Sequence, residues 1–201
     1  MINRRLYDAA LRGDAATVLA ALETGANPNL CHWAPADMPL FKGQVVRATP
    51  LVAACWTGSV SCAEILAPVS SLSWADEGGV TALMRACQRG NFACADKLAS
   101  VETCAHRDSV GWTALFYACL SSHESRQVAL GAGHRLCISS VIPFSNTRAR
   151  SNDRVNVREI LFHYGTEGLE LRSMIDSLLE AEDIAVAAPA ATAPTLRSPR
   201  L

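Results

Sequence analysis

Three segments of the chain share one frame at a fixed spacing. Thr49, Thr81 and Thr113 stand 32 residues apart, in "RATPLVAACWTGSV", "GGVTALMRACQRGN" and "VGWTALFYACLSSH". A fixed period between about 20 and 50 residues marks a stacked array. One such unit cannot bury its apolar face alone, so neighbouring copies share a core. The repeat therefore constrains the fold more than any single motif does.

The shared frame is D-x-x-G-x-T-A-L-x-x-A-C. Asp76, Gly79, Thr81, Ala82, Leu83, Ala86 and Cys87 fill it once; Asp108, Gly111, Thr113, Ala114, Leu115, Ala118 and Cys119 fill it again. Thr49, Pro50, Leu51, Ala54 and Cys55 give a copy without the Asp and Gly. Asp and Gly mark a tight turn. Thr caps the helix that follows, and Pro50 falls at its first position, where a missing N–H costs nothing. Gly58 and Gly90 end that helix. The amphipathic stretches "SCAEILA" and "NFACADKLA" then read as a second, outer helix in each unit.

Composition agrees with closely packed helices. Half the residues are hydrophobic, but only 6% are aromatic, so the core is built from small and aliphatic side chains. A net charge of −1 gives no general drive toward nucleic acid or an anionic membrane. No apolar run reaches the roughly 18 residues that cross a bilayer, and "MINRRLYDAALRGD" lacks a signal core. A cytoplasmic chain with eight reduced cysteines is expected. Cys55, Cys87 and Cys119 recur at one position, and Cys62 matches Cys94. Thiols that recur once per repeat read as small buried apolar groups. Stacked helices lie roughly 10 Å apart, beyond the reach of a disulfide.

These residues resemble the ankyrin repeat. "LYDAALRGDAATVLAALETGANPN" resembles a first repeat, ending in Gly25-Ala26-Asn27-Pro28-Asn29, and the likeness covers about 4–121 and 154–165. The Thr-Ala-Leu-Met wording also resembles arrays common in some protists, which occur alone or beside a kinase domain. No kinase-like segment is read in this chain. The resemblance implies an all-α solenoid of about four helix-turn-helix repeats over residues 1–184, closed by a C-terminal helix. Insertions are expected at about 30–46 and 122–153, and a disordered Ala/Pro-rich tail at 185–201.

The departures sharpen this. The first period is 45 residues rather than 32. In repeat four the outer helix is expected late, at "NVREILFHYG", ending at Gly165. "GLELRSMIDSLLEAEDI", with apolar Leu169, Met174, Ile175, Leu178 and Leu179, reads as the closing helix.

No catalytic signature stands out: there is no phosphate loop, no Gly-x-Ser-x-Gly and no His-Glu-x-x-His. A non-enzyme without a cofactor is expected. The acids from Glu167 to Asp183 read as a solvated face. Cys119-x3-His123 and His134-x2-Cys137 have zinc-like spacing, but Cys119 holds a buried ladder position, and no metal is assigned. The expected insertion carries Arg126, Arg135, Arg148 and Arg150 against Glu124 and Asp153. It either folds back on the acidic closing helix or grips an acidic partner.

The resemblance also implies where a protein partner would touch: residues flanking the Asp-x-x-Gly turn and the two before the helix-ending Gly. These are Leu11 and Arg12; Trp56 and Thr57; Glu77, Val80, Gln88 and Arg89; and Ser109, Val110, Trp112, Leu120 and Ser121. Trp56 and Trp112 are either exposed anchors or pack over a neighbouring repeat. The expected function is a non-catalytic adaptor, monomeric alone, binding another protein through this concave surface. The alternative is a regulatory or docking subunit of an enzyme such as a kinase acting in trans.

Overall fold

The computed structural model describes residues 1–33, 47–120, 132–145, 151–152, 155–161, 170 and 172–177. Its helices are α1 (Ile2–Arg12), α2 (Ala15–Glu23), α3 (Pro50–Thr57), α4 (Val60–Leu66), α5 (Ala82–Arg89), α6 (Phe92–Leu98), α7 (Val101–Ala105), α8 (Ala114–Leu120), α9 (Ala132–Val141) and α10 (Val157–Leu161). Two short strands, β1 (His32–Trp33) and β2 (Arg47–Ala48), pair antiparallel between the first and second helix pairs. The fold is the all-α repeat solenoid that the spacing implies.

The local rules act where the frame puts them. Thr49 and Thr81 accept a hydrogen bond at Oγ1 from the amides of Val52 and Met84, each at 3.4 Å, and so satisfy an orphan donor of the first helical turn. Thr81 N–H in turn donates to Met84 Sδ at 3.5 Å. Gly58 and Gly90 end α3 and α5 in the left-handed conformation.

Packing forms two layers. The inner helices stack in the order α1, α3, α5, α8 and α10; the outer helices stack as α2, α4, α6 and α9. Leu6, Leu51, Leu83 and Leu115 occupy one register position and form a buried column between them. Ala9, Ala54, Ala86 and Ala118 form a second buried column, whose small side chains let successive inner helices approach.

Repeat four differs from the expectation. Its outer helix is α9, inside the segment read from sequence as an insertion at 122–153, and not the later "NVREILFHYG". α9 packs on both α8 and α6, as α6 packs on α5 and α4. The register repeats: Cys137 follows Gly133 by four residues, as Cys62 follows Gly58 and Cys94 follows Gly90. Outer helices four and two both run on into a 3-10 turn containing proline, Ile142–Phe144 and Ala67–Val69. The extra chain therefore enters before the outer helix, at 121–131, which lies outside the described residues. Val157–Leu161 is then the inner helix of a further unit. Asn156 stands where Thr81 and Thr113 stand, accepting from Glu159 N–H at 2.9 Å. After it, residues 172–177 are helical with Ile175 buried. Leu169, Leu178, Leu179, residues 34–46 of the first expected insertion and the tail at 185–201 lie outside the described residues.

None of the eight cysteines forms a disulfide, and seven are buried. Cys137 joins Cys62 and Cys94 in an outer column. Cys55 hydrogen-bonds Cys94, and Cys87 hydrogen-bonds Cys137. Those bonds, together with complete burial, push the Cys55 and Cys87 thiols well above their usual range; burial alone does so for Cys119. Thiolate is the reactive form, so these groups are inert in the fold. In native protein at neutral pH, iodoacetamide is expected to modify Cys31 alone, the one partly exposed cysteine, and to modify all eight after denaturation. Mass spectrometry of intact protein reads this; rapid native alkylation of the buried columns would contradict the packing.

Candidate protein-binding surface

Two sets of side chains reach one face. The first comes from the ends of the inner helices: Leu11 and Arg12, Trp56 and Thr57, Gln88 and Arg89, in one register on three successive repeats. The second comes from the turns that precede the inner helices, which project as fingers.

Each finger is shaped by its aspartate. Asp76 accepts at Oδ1 from the amides of Gly78 (2.9 Å) and Val80 (3.0 Å); Asp108 accepts from those of Val110 (2.9 Å) and Trp112 (2.8 Å). The second carboxylate oxygen reaches nine residues on, to the inner helix. Arg85 Nη2 donates to Asp76 Oδ2 at 2.7 Å, and Tyr117 OH donates to Asp108 Oδ2 at 2.8 Å. Arg85 is only 2% exposed, so this is a buried ion pair. Burial and then the hydrogen bond to Asp108 push the Tyr117 hydroxyl far up, which keeps it a donor.

The fingers are linked to one another. Ser109 N–H donates to the Gly78 carbonyl at 2.9 Å, and Asn152 N–H to the Val110 carbonyl at 2.9 Å. Arg47 Nε pairs with Glu77 Oε1 at 2.9 Å. The inner helices are bridged at their other end. Asn91 Nδ2 donates to the carbonyls of Cys55 (2.8 Å) and Trp56 (3.0 Å), orphan acceptors of α3. His134 Nε2 lies 3.3 Å from the Gln88 carbonyl in the same way. Burial pulls the His134 pKa down, so it is neutral near pH 7 and adds no charge here.

The residues named from sequence divide into three groups. Arg12, Thr57, Glu77, Arg89 and Ser109 are exposed; Leu11, Gln88, Val110 and Trp112 are half-buried. Val80 is not on the surface: it is 3% exposed, drawn inward where the Asp76 turn folds its amide back. Trp56 is 9% exposed and packs in the core, with the Arg89 guanidinium 4.6 Å above its ring. The exposed-anchor reading of Trp56 is therefore replaced by the packed one. Trp112 meets the Tyr117 ring edge-on at 5.8 Å, half-covered. Ser121 and the Leu120 side chain lie outside the described residues.

Sequence reasoning missed Arg85, Tyr117, Asn91 and Asn152. Arg85 and Tyr117 were legible in principle, since both stand nine residues after a finger aspartate. Asn91 and Asn152 act between repeats, and no local pattern announces them. Of the residues with zinc-like spacing, Cys119, His134 and Cys137 are among the described ones. Cys119 and Cys137 sit in separate buried columns, His123 lies outside the described residues, and no metal-holding group of three ligands occurs among the described residues. Arg135 pairs with Glu170 at 3.1 Å, which is the fold-back reading for that residue. Arg126, Arg148 and Arg150 lie outside the described residues.

No helix among the described residues is long and apolar enough to cross a membrane. No curated protein matches the chain. A family model described as ankyrin repeats (3 copies) matches residues 6–105 and 70–134, together well over half the sequence. With stacked helix pairs, aspartate-shaped fingers and this match on one chain, the protein belongs to the ankyrin-repeat family.

Proposed function

We propose that this chain is a non-catalytic adaptor that holds a partner protein against the face formed by its inner-helix ends and fingers. Ankyrin repeats generally mediate protein–protein interaction, which supports the class. The observation that carries the surface is register. Arg12, Thr57 and Arg89 are exposed at one position on three successive repeats, beside the fingers that present Glu77 and Ser109. Side chains fixed on stacked rigid helices make an extended surface at low ordering cost. Eight cysteines without a disulfide fit a reducing, cytoplasmic setting. A regulatory or docking subunit of an enzyme would use the same face, and the partner's identity separates the two.

Affinity capture with the full chain, followed by mass spectrometry, tests this. Thr57→Trp and Ser109→Trp, both exposed on the face and neutral in charge, are expected to abolish capture of the specific partner by bulk. Asp96→Arg, exposed on the outer helix α6, should leave it intact. Equal loss with all three, or with none, would refute the face.

A further inference from the structure

We propose that the partner presents an acidic segment to this face, and that Arg89, seated on Trp56, receives one of its carboxylates. This deepens the adaptor reading and rests on it.

The first observation is charge. On the inner-helix and finger face, each described carboxylate already has a partner. Asp8 pairs with Arg4 at 2.9 Å, Glu77 with Arg47 and Asp76 with Arg85, while Asp108 is held by two amides and Tyr117. Two guanidiniums remain outside ion pairs among the described residues: Arg89, and Arg12, which feels the Asp14 carboxylate two residues on only without direct contact. The negative charges of this face are turned inward or engaged, Asp76 and Asp108 in the turns and Asp8 and Glu77 in ion pairs, whereas the Arg12 and Arg89 side chains are exposed. An acidic ligand complements them and a basic one is repelled.

The second observation is geometry. Arg89 comes from repeat three and Trp56 from repeat two. The guanidinium lies 4.6 Å from the indole centroid, while Arg89 remains exposed. Stacking fixes one face of the planar fork and leaves its N–H donors in the surface. A guanidinium held this way has already lost most of its rotamer freedom, so a bidentate carboxylate meets a preformed fork. Arg12 is two repeats away in the same register, with Thr57 between them, so successive acids on an extended segment could engage both.

The test selects binders to the full chain from an unbiased display library of random peptides of about 12 residues, long enough to cross several repeats. Selected peptides should be net acidic. Arg89→Met, which keeps an apolar cover on the indole, should weaken them about tenfold or more. Arg12→Met should weaken them less. Changing the peptides' own acids to Asn and Gln should have the same effect without touching the protein, so a folding defect in the Arg89 variant cannot mimic the result. Affinity should fall as salt rises. Neutral or basic peptides that ignore Arg89→Met but are lost on Thr57→Trp would leave the face standing and overturn the acidic partner. Peptides that ignore Thr57→Trp as well would overturn both.

Discussion

Arg85→Ala is expected to destabilise the protein by about 3–5 kcal/mol, the usual result of removing one member of a buried ion pair. Arg85 and Asp76 side chains are 3% and 4% exposed, and their contact is 2.7 Å. The pair's net contribution is small, because desolvating both charges offsets their attraction. The large effect comes from what remains. Asp76 would keep two amide donors from Gly78 and Val80 but would lose the cation it pairs with among the described residues. Gln88, whose Oε1 accepts from Arg85 Nη1 at 2.8 Å, would lose that donor too. The double variant Asp76→Asn with Arg85→Gln removes both charges and keeps hydrogen-bonding capacity, so it should cost less than Arg85→Ala alone. Chemical denaturation of the variants checks this. A loss below about 1 kcal/mol for Arg85→Ala would mean that water or another group compensates the carboxylate.

Gly79→Ala is the second large effect, at about 2–4 kcal/mol, from two independent contributions. Gly79 has φ +81°, a left-handed conformation that costs an L-residue about 1–2 kcal/mol. A Cβ there would also stand 2.9 Å from Asp108 Cα and 3.0 Å from Ser109 N. Both are backbone atoms of the next finger, and neither can rotate away. Relief would have to break the Ser109-to-Gly78 hydrogen bond that links the fingers. Gly25 separates the two contributions. Its φ is +87°, but a Cβ added there would meet no atom within 4 Å. Gly25→Ala should therefore cost only the conformational part, about 1–2 kcal/mol. Paired denaturation curves give the difference directly; equal losses at the two positions would show that the fingers have room to move apart.

The repeat frame was readable because its physics is local. A threonine cap, a proline or alanine at the first turn, a glycine stop and an Asp-x-x-Gly turn each act within a few residues. Leu6, Leu51, Leu83 and Leu115 then fall into one column by spacing alone. Even the outer helix of repeat four had a signal in the chain: Gly133 and Cys137 keep the four-residue spacing of Gly58 with Cys62 and Gly90 with Cys94. The residues at 121–131 broke the period and hid it.

Other features depended on contacts between repeats. Trp56 and Arg89 are 33 residues apart, and the sequence leaves Trp56 either an exposed anchor or packed over a neighbouring repeat. Only stacking α5 on α3 lays the guanidinium over the indole, burying the tryptophan and leaving the arginine as the exposed group. Arg85 stands in an amphipathic helix, where a charge ordinarily marks the solvent side. The finger folding back over α5 brings Asp76 to it and makes it a core residue. Both segments 132–141 and 157–161 can form helices, and what makes the first the outer layer of repeat four is its fit against α6 and α8. Sequence by itself determined the unit and its period, since caps, turns and apolar spacing are short-range. Tertiary structure decided which charges are buried and which face carries them, because those outcomes depend on what the neighbouring repeat places opposite.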